Sequence, residues 1–297
     1  MDTLTKERNS RFVRTPLAVA LRANPRLIAI LRVFDDHRLL PANWIHALVG
    51  GDRIGLNRRL TQLYREGLLN RETLLGPKNV YETMTYSRTE KGDRFLNEKG
   101  FEGLPHDGTH DAHQVLLDIL SASIELGARN SSIELHKWKE IRDHPKTPKL
   151  PNHPFRFQVG TNPNNEKTIF LVPDGRPFFL KGQEGSILFV KELDRNTEPA
   201  TTILTKLKNY QKAEDAIKAR YGFKAMMLLF VTTDKTRQEN ILGWIKEVFP
   251  EGCKRRVLAG GSPAQPHQLA RGHRESARAR IRTREDDGPR EAGEGGS

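Results

Sequence analysis

Apolar residues return every three or four positions from Arg26, placing Leu27, Ile30, Leu31 and Phe34 on one side of a helix. A second short helix is predicted over Pro41–Val49, opened by Pro41 and closed by Gly50-Gly51. Asp52 is a good N-cap for a third helix, which runs to Glu66 and stops at Gly67. Two extended runs, Leu68–Leu75 and Val80–Ser87, flank the turn-rich Gly76-Pro77-Lys78-Asn79, and Thr89 caps a helix over Glu90–Lys99. Three helices, a β-hairpin and a helix in this order predict a winged helix-turn-helix over residues 24–100, with an arm over 1–23.

The segment 101–109, with Gly103, Pro105 and Gly108, reads as a linker. A long amphipathic helix follows from about His110 to Leu126, with Val115, Leu116, Ile119, Leu120 and Ile124 on one side. Residues 131–141 are mixed, and 142–166, rich in Pro, Asn, Lys and His, read as a long surface loop. β-like runs at Thr168–Val172, Pro177–Lys181 and Ser186–Leu193 precede a helix (Thr202–Tyr221), an apolar strand (Ala225–Thr232) and a last helix (Thr236–Phe249). That order predicts a mixed α/β sheet flanked by helices over 110–253, and an α+β chain as a whole. From Lys254 large apolar residues almost vanish, and 254–297 read as a disordered basic tail.

Charge sharpens this picture. The 297 residues carry 49 Lys and Arg against 37 Asp and Glu, a net charge of +12, which favours a polyanionic partner. Residues 24–100 hold thirteen basic and nine acidic residues while 101–253 hold twenty-one and twenty, so the first hundred residues and the tail are the expected contacts. No apolar run approaches the ~18–20 residues of a membrane helix, and MDTLTKERNSRFVR lacks the apolar core of a secretory signal. A cytoplasmic protein without membrane contact is expected. Cys253 is the sole cysteine, which excludes an internal disulfide framework. Neither a P-loop nor a GxGxxG run occurs, so a nucleotide fold has no support.

On the third helix Leu56, Leu60 and Leu63 form the inward stripe, leaving Arg58, Thr61, Gln62 and Arg65 opposite, with Arg53 and Asn57 near its start. In a major groove Arg can read guanine and Gln adenine, while other basic groups hold phosphates. Arg71 and Lys78 place the hairpin as a wing on the backbone or minor groove. Double-stranded DNA is the expected partner, against the alternatives of a plain solvated face or a winged helix that binds protein. In the second half, Asp174 lies in VPDG, and Glu192 and Asp194 share one face of the run ILFVKELD. These three carboxylates could converge on Mg²⁺, which could activate water against a phosphodiester. Lys206, one turn before Tyr210, is the candidate cation for the developing charge. The same residues also read as an ordinary turn, an ion pair of Glu192 with Lys181 or Lys191, and the polar side of a helix. His110 and His113 read as surface histidines.

Together these pieces resemble the replication-relaxation family of plasmids and other mobile elements. The resemblance rests on LTQLYREGLLNR, THDAHQVLL, HKWKEI, VPDG, FVKELDRNTE, KLKNYQKA and FKAMMLLFVTTDKTRQENIL, in that order across Pro25–Glu247. It implies a winged helix joined to a restriction-endonuclease-like domain of the PD-(D/E)XK type, and a role in replication, relaxation or mobilisation. By position, Asp174 and Glu192 match the acids of the nuclease motif. Asp194 stands where that motif carries lysine, and Lys206 on the next helix could replace it; Glu125 or Glu140 could add a metal ligand. The resemblance implies DNA binding first. A Mg²⁺-dependent endonuclease or nickase using Asp174, Glu192, Asp194 and Lys206, and an adaptor recruiting a relaxase or replication initiator, are the alternatives.

Overall fold

Leu27, Ile30 and Leu31 are fully buried in α1 (Pro25–Arg32), whose N-cap Asn24 accepts the Leu27 N–H at 3.0 Å. The computed structural model describes residues 14–15, 21–73, 84–101, 111–129, 131, 133–147, 155–161, 167–182, 185–232, 234–250 and 257–260. After α1 come β1 (Leu40–Pro41), α2 (Ala42–Val49), α3 (Arg53–Arg65), β2 (Leu69–Glu72), β3 (Thr85–Arg88) and α4 (Glu90–Glu98). The three strands form one antiparallel sheet in the order β1-β3-β2. Lys78 and the rest of the expected hairpin tip, most of the expected arm, and residues 102–109 of the expected linker lie outside the described residues.

Gly50 and Gly51 take positive φ, 73° and 76°, and so turn α2 sharply into α3. A Cβ on Gly51 would stand 2.8 Å from the Arg26 guanidinium. That guanidinium donates to the Val49 carbonyl at 3.1 Å and to that of Gly50, and Arg129 donates to Leu48 at 2.5 Å. Cations thus satisfy the open carbonyl end of α2. Arg88, buried at the end of β3, donates to Asp35 at 2.5 Å, to Asp93 at 2.6 Å and to the Leu31 carbonyl at 3.0 Å, tying α1 and α4 to the sheet.

The rest of the chain is α5 (Ala112–Arg129), β4 (Glu134–His136), α6 (Trp138–Asp143), β5 (Phe157–Thr161), β6 (Thr168–Leu171), β7 (Gly175–Gly182), β8 (Gly185–Asp194), α7 (Ala200–Tyr221), β9 (Ala225–Thr232), α8 (Lys235–Val248) and β10 (Val257–Gly260). Five of these strands form a sheet in the order β10-β9-β8-β7-β4, parallel from β8 to β10 and antiparallel from β4 to β8. The fold is therefore mixed α and β. Alternation along β8 divides its side chains between two layers. Leu188 and Val190 enter the core with Ile203, Leu207 and Tyr210 of α7 and Ile241 and Ile245 of α8, and the same face continues to Glu192 and Asp194. Leu193, on the other face, packs with Leu117 of α5 and Val231 of β9.

Two expectations need correction. Within the stretch read as a loop, Phe157–Thr161 pairs antiparallel with β6, and Phe155 and Phe157 are buried. Their period-two spacing was hidden by the Pro- and Asn-rich flanks. Within the stretch read as a disordered tail, Val257–Gly260 pairs in parallel with Leu228–Val231 of β9. Four residues able to use the open backbone groups of an edge strand suffice for that pairing, whatever the composition around them.

The two halves meet on α5. Buried Asp118 accepts the backbone N–H groups of Arg38 and Leu39, each at 2.7 Å. Buried Glu125 has His37 at 3.3 Å, Arg129 at 2.6 Å and Lys137 at 2.7 Å, and Lys137 also reaches Asp36 at 3.1 Å. Burial alone would raise the Glu125 carboxyl, but His37 and Lys137 outweigh it and hold it well below the ordinary carboxylate range. Its stabilising effect is therefore complete above the unfolded value of 4.5 and is lost as the pH falls below it. Glu125→Gln is expected to be less stable than the wild type at neutral pH, with the gap closing as the pH drops below ~4.5. Urea denaturation across pH reads this directly, and a gap independent of pH would remove the electrostatic account.

Candidate nucleic-acid interface and carboxylate cluster

Burial of Leu56, Leu60, Leu63 and Tyr64 fixes which side of α3 faces outward. Asp52 caps its start, accepting the N–H groups of Ile54 at 3.3 Å and Gly55 at 2.5 Å. Arg53, Asn57, Arg58 and Arg65 are exposed, while Thr61 and Gln62 are half-buried. The Thr61 hydroxyl donates to the Asn57 carbonyl at 2.9 Å, and Gln62 accepts from Arg59 at 2.9 Å. Gln62 is thus engaged along its own helix rather than standing free. Arg71 of β2 is half-buried, its guanidinium 4.2 Å from the centre of the Tyr64 ring. Arg14 lies over the same ring at 5.1 Å and donates to Asn70 at 2.7 Å. Nothing local in the sequence signals this place for Arg14, because its partners are fifty or more residues away.

The strand register builds a second cluster. Gly175 is opposite Lys191 across β7 and β8, which sets Asp174 beside the end of β8, where it accepts the Leu193 N–H at 3.2 Å. From α7, Lys206 reaches Glu192 at 3.1 Å, Glu198 at 3.0 Å and Asp174 at 3.5 Å. Tyr210, one helical turn further, donates its hydroxyl to Glu192. His113 of α5 lies 3.9 Å from Asp174. Burial pushes the Glu192 carboxyl up to about 8, the negative charge of Asp174 adds to this, and Lys206 opposes it. Burial alone would lower the Lys206 ammonium, but Glu192 and Asp174 raise it. Burial and the neighbouring charge of Asp174 thus favour the neutral form of Glu192, beside a lysine held firmly charged.

Asp194 does not join them. It is buried, held by Arg237 of α8, and accepts the Asn196 N–H at 3.0 Å. Arg237 also donates to the Glu198 carbonyl and lies 5.0 Å from a Trp244 ring centre. The third carboxylate around Lys206 is Glu198 instead, which the sequence reading missed along with Arg237. Among the described residues no three His, Cys, Asp or Glu side chains form a group able to hold a metal ion. Asp174 and Glu192 offer oxygen donors of the kind Mg²⁺ takes, and they fit such an ion only if Lys206 gives up its contacts with both.

Glu125 and Glu140 stand elsewhere, Glu125 in the α5 contacts and Glu140 against His136 and the Lys137 N–H. Of the lysines weighed as partners for Glu192, Lys181 pairs with Glu134 at 3.3 Å, and Lys191 donates to Ser121 on the opposite face of the sheet. Burial lowers the Lys191 ammonium to about 8. Arg237→Ala strands the buried Asp194 and is expected to cost about 3–5 kcal/mol in a urea titration. A cost under ~1 kcal/mol would mark an indifferent surface-like pair and free Asp194 for another role.

No helix among the described residues is long and apolar enough to cross a membrane. No curated protein and no solved structure matches the chain. The family model described as Replication-relaxation matches residues 31–224, from the end of α1 to the residue before β9. That span takes in α3, α5, Asp174, Glu192, Lys206 and Tyr210, and it covers well over half of the sequence. On this match the chain belongs to the replication-relaxation family.

Proposed function

We propose that this chain is a DNA-binding protein acting in the replication, relaxation or mobilisation of a plasmid or other mobile element. In this reading residues 24–100 are a winged helix-turn-helix, and 110–253 a restriction-endonuclease-like domain of the PD-(D/E)XK type. One observation carries it: the arginine side of α3 is uncovered beside the antiparallel strands β2 and β3, with Arg58 and Arg65 both exposed. A helix so placed fits a major groove, where Arg58 and Arg65 hold phosphates or read guanine, while Arg53 and Asn57 flank its entry. Thr61 adds a short polar contact, and Arg71 is the wing's guanidinium. The partner is double-stranded DNA, and the expected compartment is the cytoplasm.

Arg58→Ala combined with Arg65→Ala is expected to weaken duplex binding and to reduce the salt slope by about two phosphate equivalents where both touch backbone. A gel-shift titration at several salt concentrations reads both effects. Unchanged affinity would favour an adaptor that recruits a relaxase or replication initiator.

The convergence of Asp174, Glu192 and Lys206 favours a second reading, a metal-dependent endonuclease or nickase. Asp174 and Glu192 would hold the Mg²⁺, which when bound supplies activation of water against a phosphodiester. Lys206 would then stabilise the charge developing on the phosphate, and Asp194 would keep its structural place against Arg237. On this reading, supercoiled plasmid with Mg²⁺ or Mn²⁺ is nicked by the wild type and not by Asp174→Ala. Absence of nicking on every plasmid would leave the domain as a binding platform, and nicking that needs no metal ion would overturn the metal-dependent reading.

A further inference from the structure

Among the described residues, the most exposed large apolar side chain is Ile54, 81% exposed, in the first turn of α3. Residues 54, 58, 61 and 65 follow one another at helical spacing, so Ile54 heads the stripe that continues through Arg58, Thr61 and Arg65. Arg53, Asn57 and Arg58 surround it, and all three are exposed. Among the described residues it is thus one apolar group in a polar, cationic setting, with no apolar patch around it of the size a protein interface needs at its centre.

We propose that Ile54 recognises the 5-methyl group of a thymine in the major groove, making the preferred duplex one with a thymine at that position. This rests on the DNA-binding reading of α3. An isoleucine side chain neither donates nor accepts a hydrogen bond, so phosphates and polar base edges give it nothing. The thymine methyl is the apolar feature among the major-groove edges of the base pairs. Recognition helices meet base edges with their N-terminal residues, which is where Ile54 stands, while Arg58 and Arg65 further along the stripe hold the register. Its exposure also separates this role from folding, since removing its outer carbons disturbs no core contact.

The test uses the full chain. Duplexes bound by the wild type are selected from a random library, and each thymine of the selected sequence is replaced in turn by deoxyuridine, which lacks only the methyl group. At one thymine the replacement is expected to weaken wild-type binding about fourfold, the effect of losing one buried methyl group. Ile54→Ala should bind the thymine and deoxyuridine duplexes equally, about as the wild type binds the deoxyuridine one, and keep its salt slope. Ile54→Val should retain part of the discrimination. The inference is overturned if no thymine is methyl-sensitive, or if Ile54→Ala discriminates as the wild type does. Failure of the parent reading looks different: the wild type then shows no salt-dependent duplex binding at all, and the inference falls with it.

Discussion

Two buried carboxylates on one helix, Asp118 and Glu125, govern how the chain is put together. Seven residues apart, they lie on the same side of α5 and face the N-terminal half. A buried charge is costly unless its oxygens are taken up by donors. Asp118 therefore requires the backbone of Arg38 and Leu39 in place, and Glu125 requires His37, Arg129 and Lys137. Apolar contacts alone would tolerate sliding of one layer over the other. Directional hydrogen bonds to backbone N–H groups do not, and they fix the register of the joint.

The same helix links the two candidate surfaces. His113, near the start of α5, stands 3.9 Å from Asp174. Arg129, its last residue, donates to Leu48 at the end of α2, just before the turn into α3. Sixteen residues of helix separate those contacts, roughly 24 Å at 1.5 Å per residue. A rod of that length, packed along the sheet through Leu117, holds the arginine face and the carboxylate cluster at a set separation.

What was legible in the sequence was whatever the chain encodes locally. The spacing of Leu56, Leu60 and Leu63 gave the facing of α3, and Asp52 and Thr89 marked two helix starts. Lys206 and Tyr210, one turn apart, do meet the same carboxylate. What failed depended on partners far along the chain. Glu192 and Asp194 share a strand face, as alternation requires, yet α7 supplies a lysine to the first and α8 an arginine to the second. No local pattern announces that Arg237 will cross forty-three residues to reach Asp194. Burial of Lys191 was hidden for a related reason: charged residues in a strand read as solvent-facing until a second layer is known to cover them.

The electrostatic consequence follows from these placements rather than from the total of +12. At physiological salt, exposed charges act over about 8 Å, so local balance decides what a polyanion feels. Around Lys206 stand Asp174, Glu192 and Glu198, and such a cluster offers a phosphate no surplus of positive charge. Between Arg53 and Arg65, by contrast, α3 carries four arginines and no acidic residue. On the proposed reading, α3 provides the attraction, and the cluster meets only DNA already held by the N-terminal half. Chemistry at Asp174 and Glu192 would then be governed by where α5 sets the two surfaces, with affinity and site choice residing in α3.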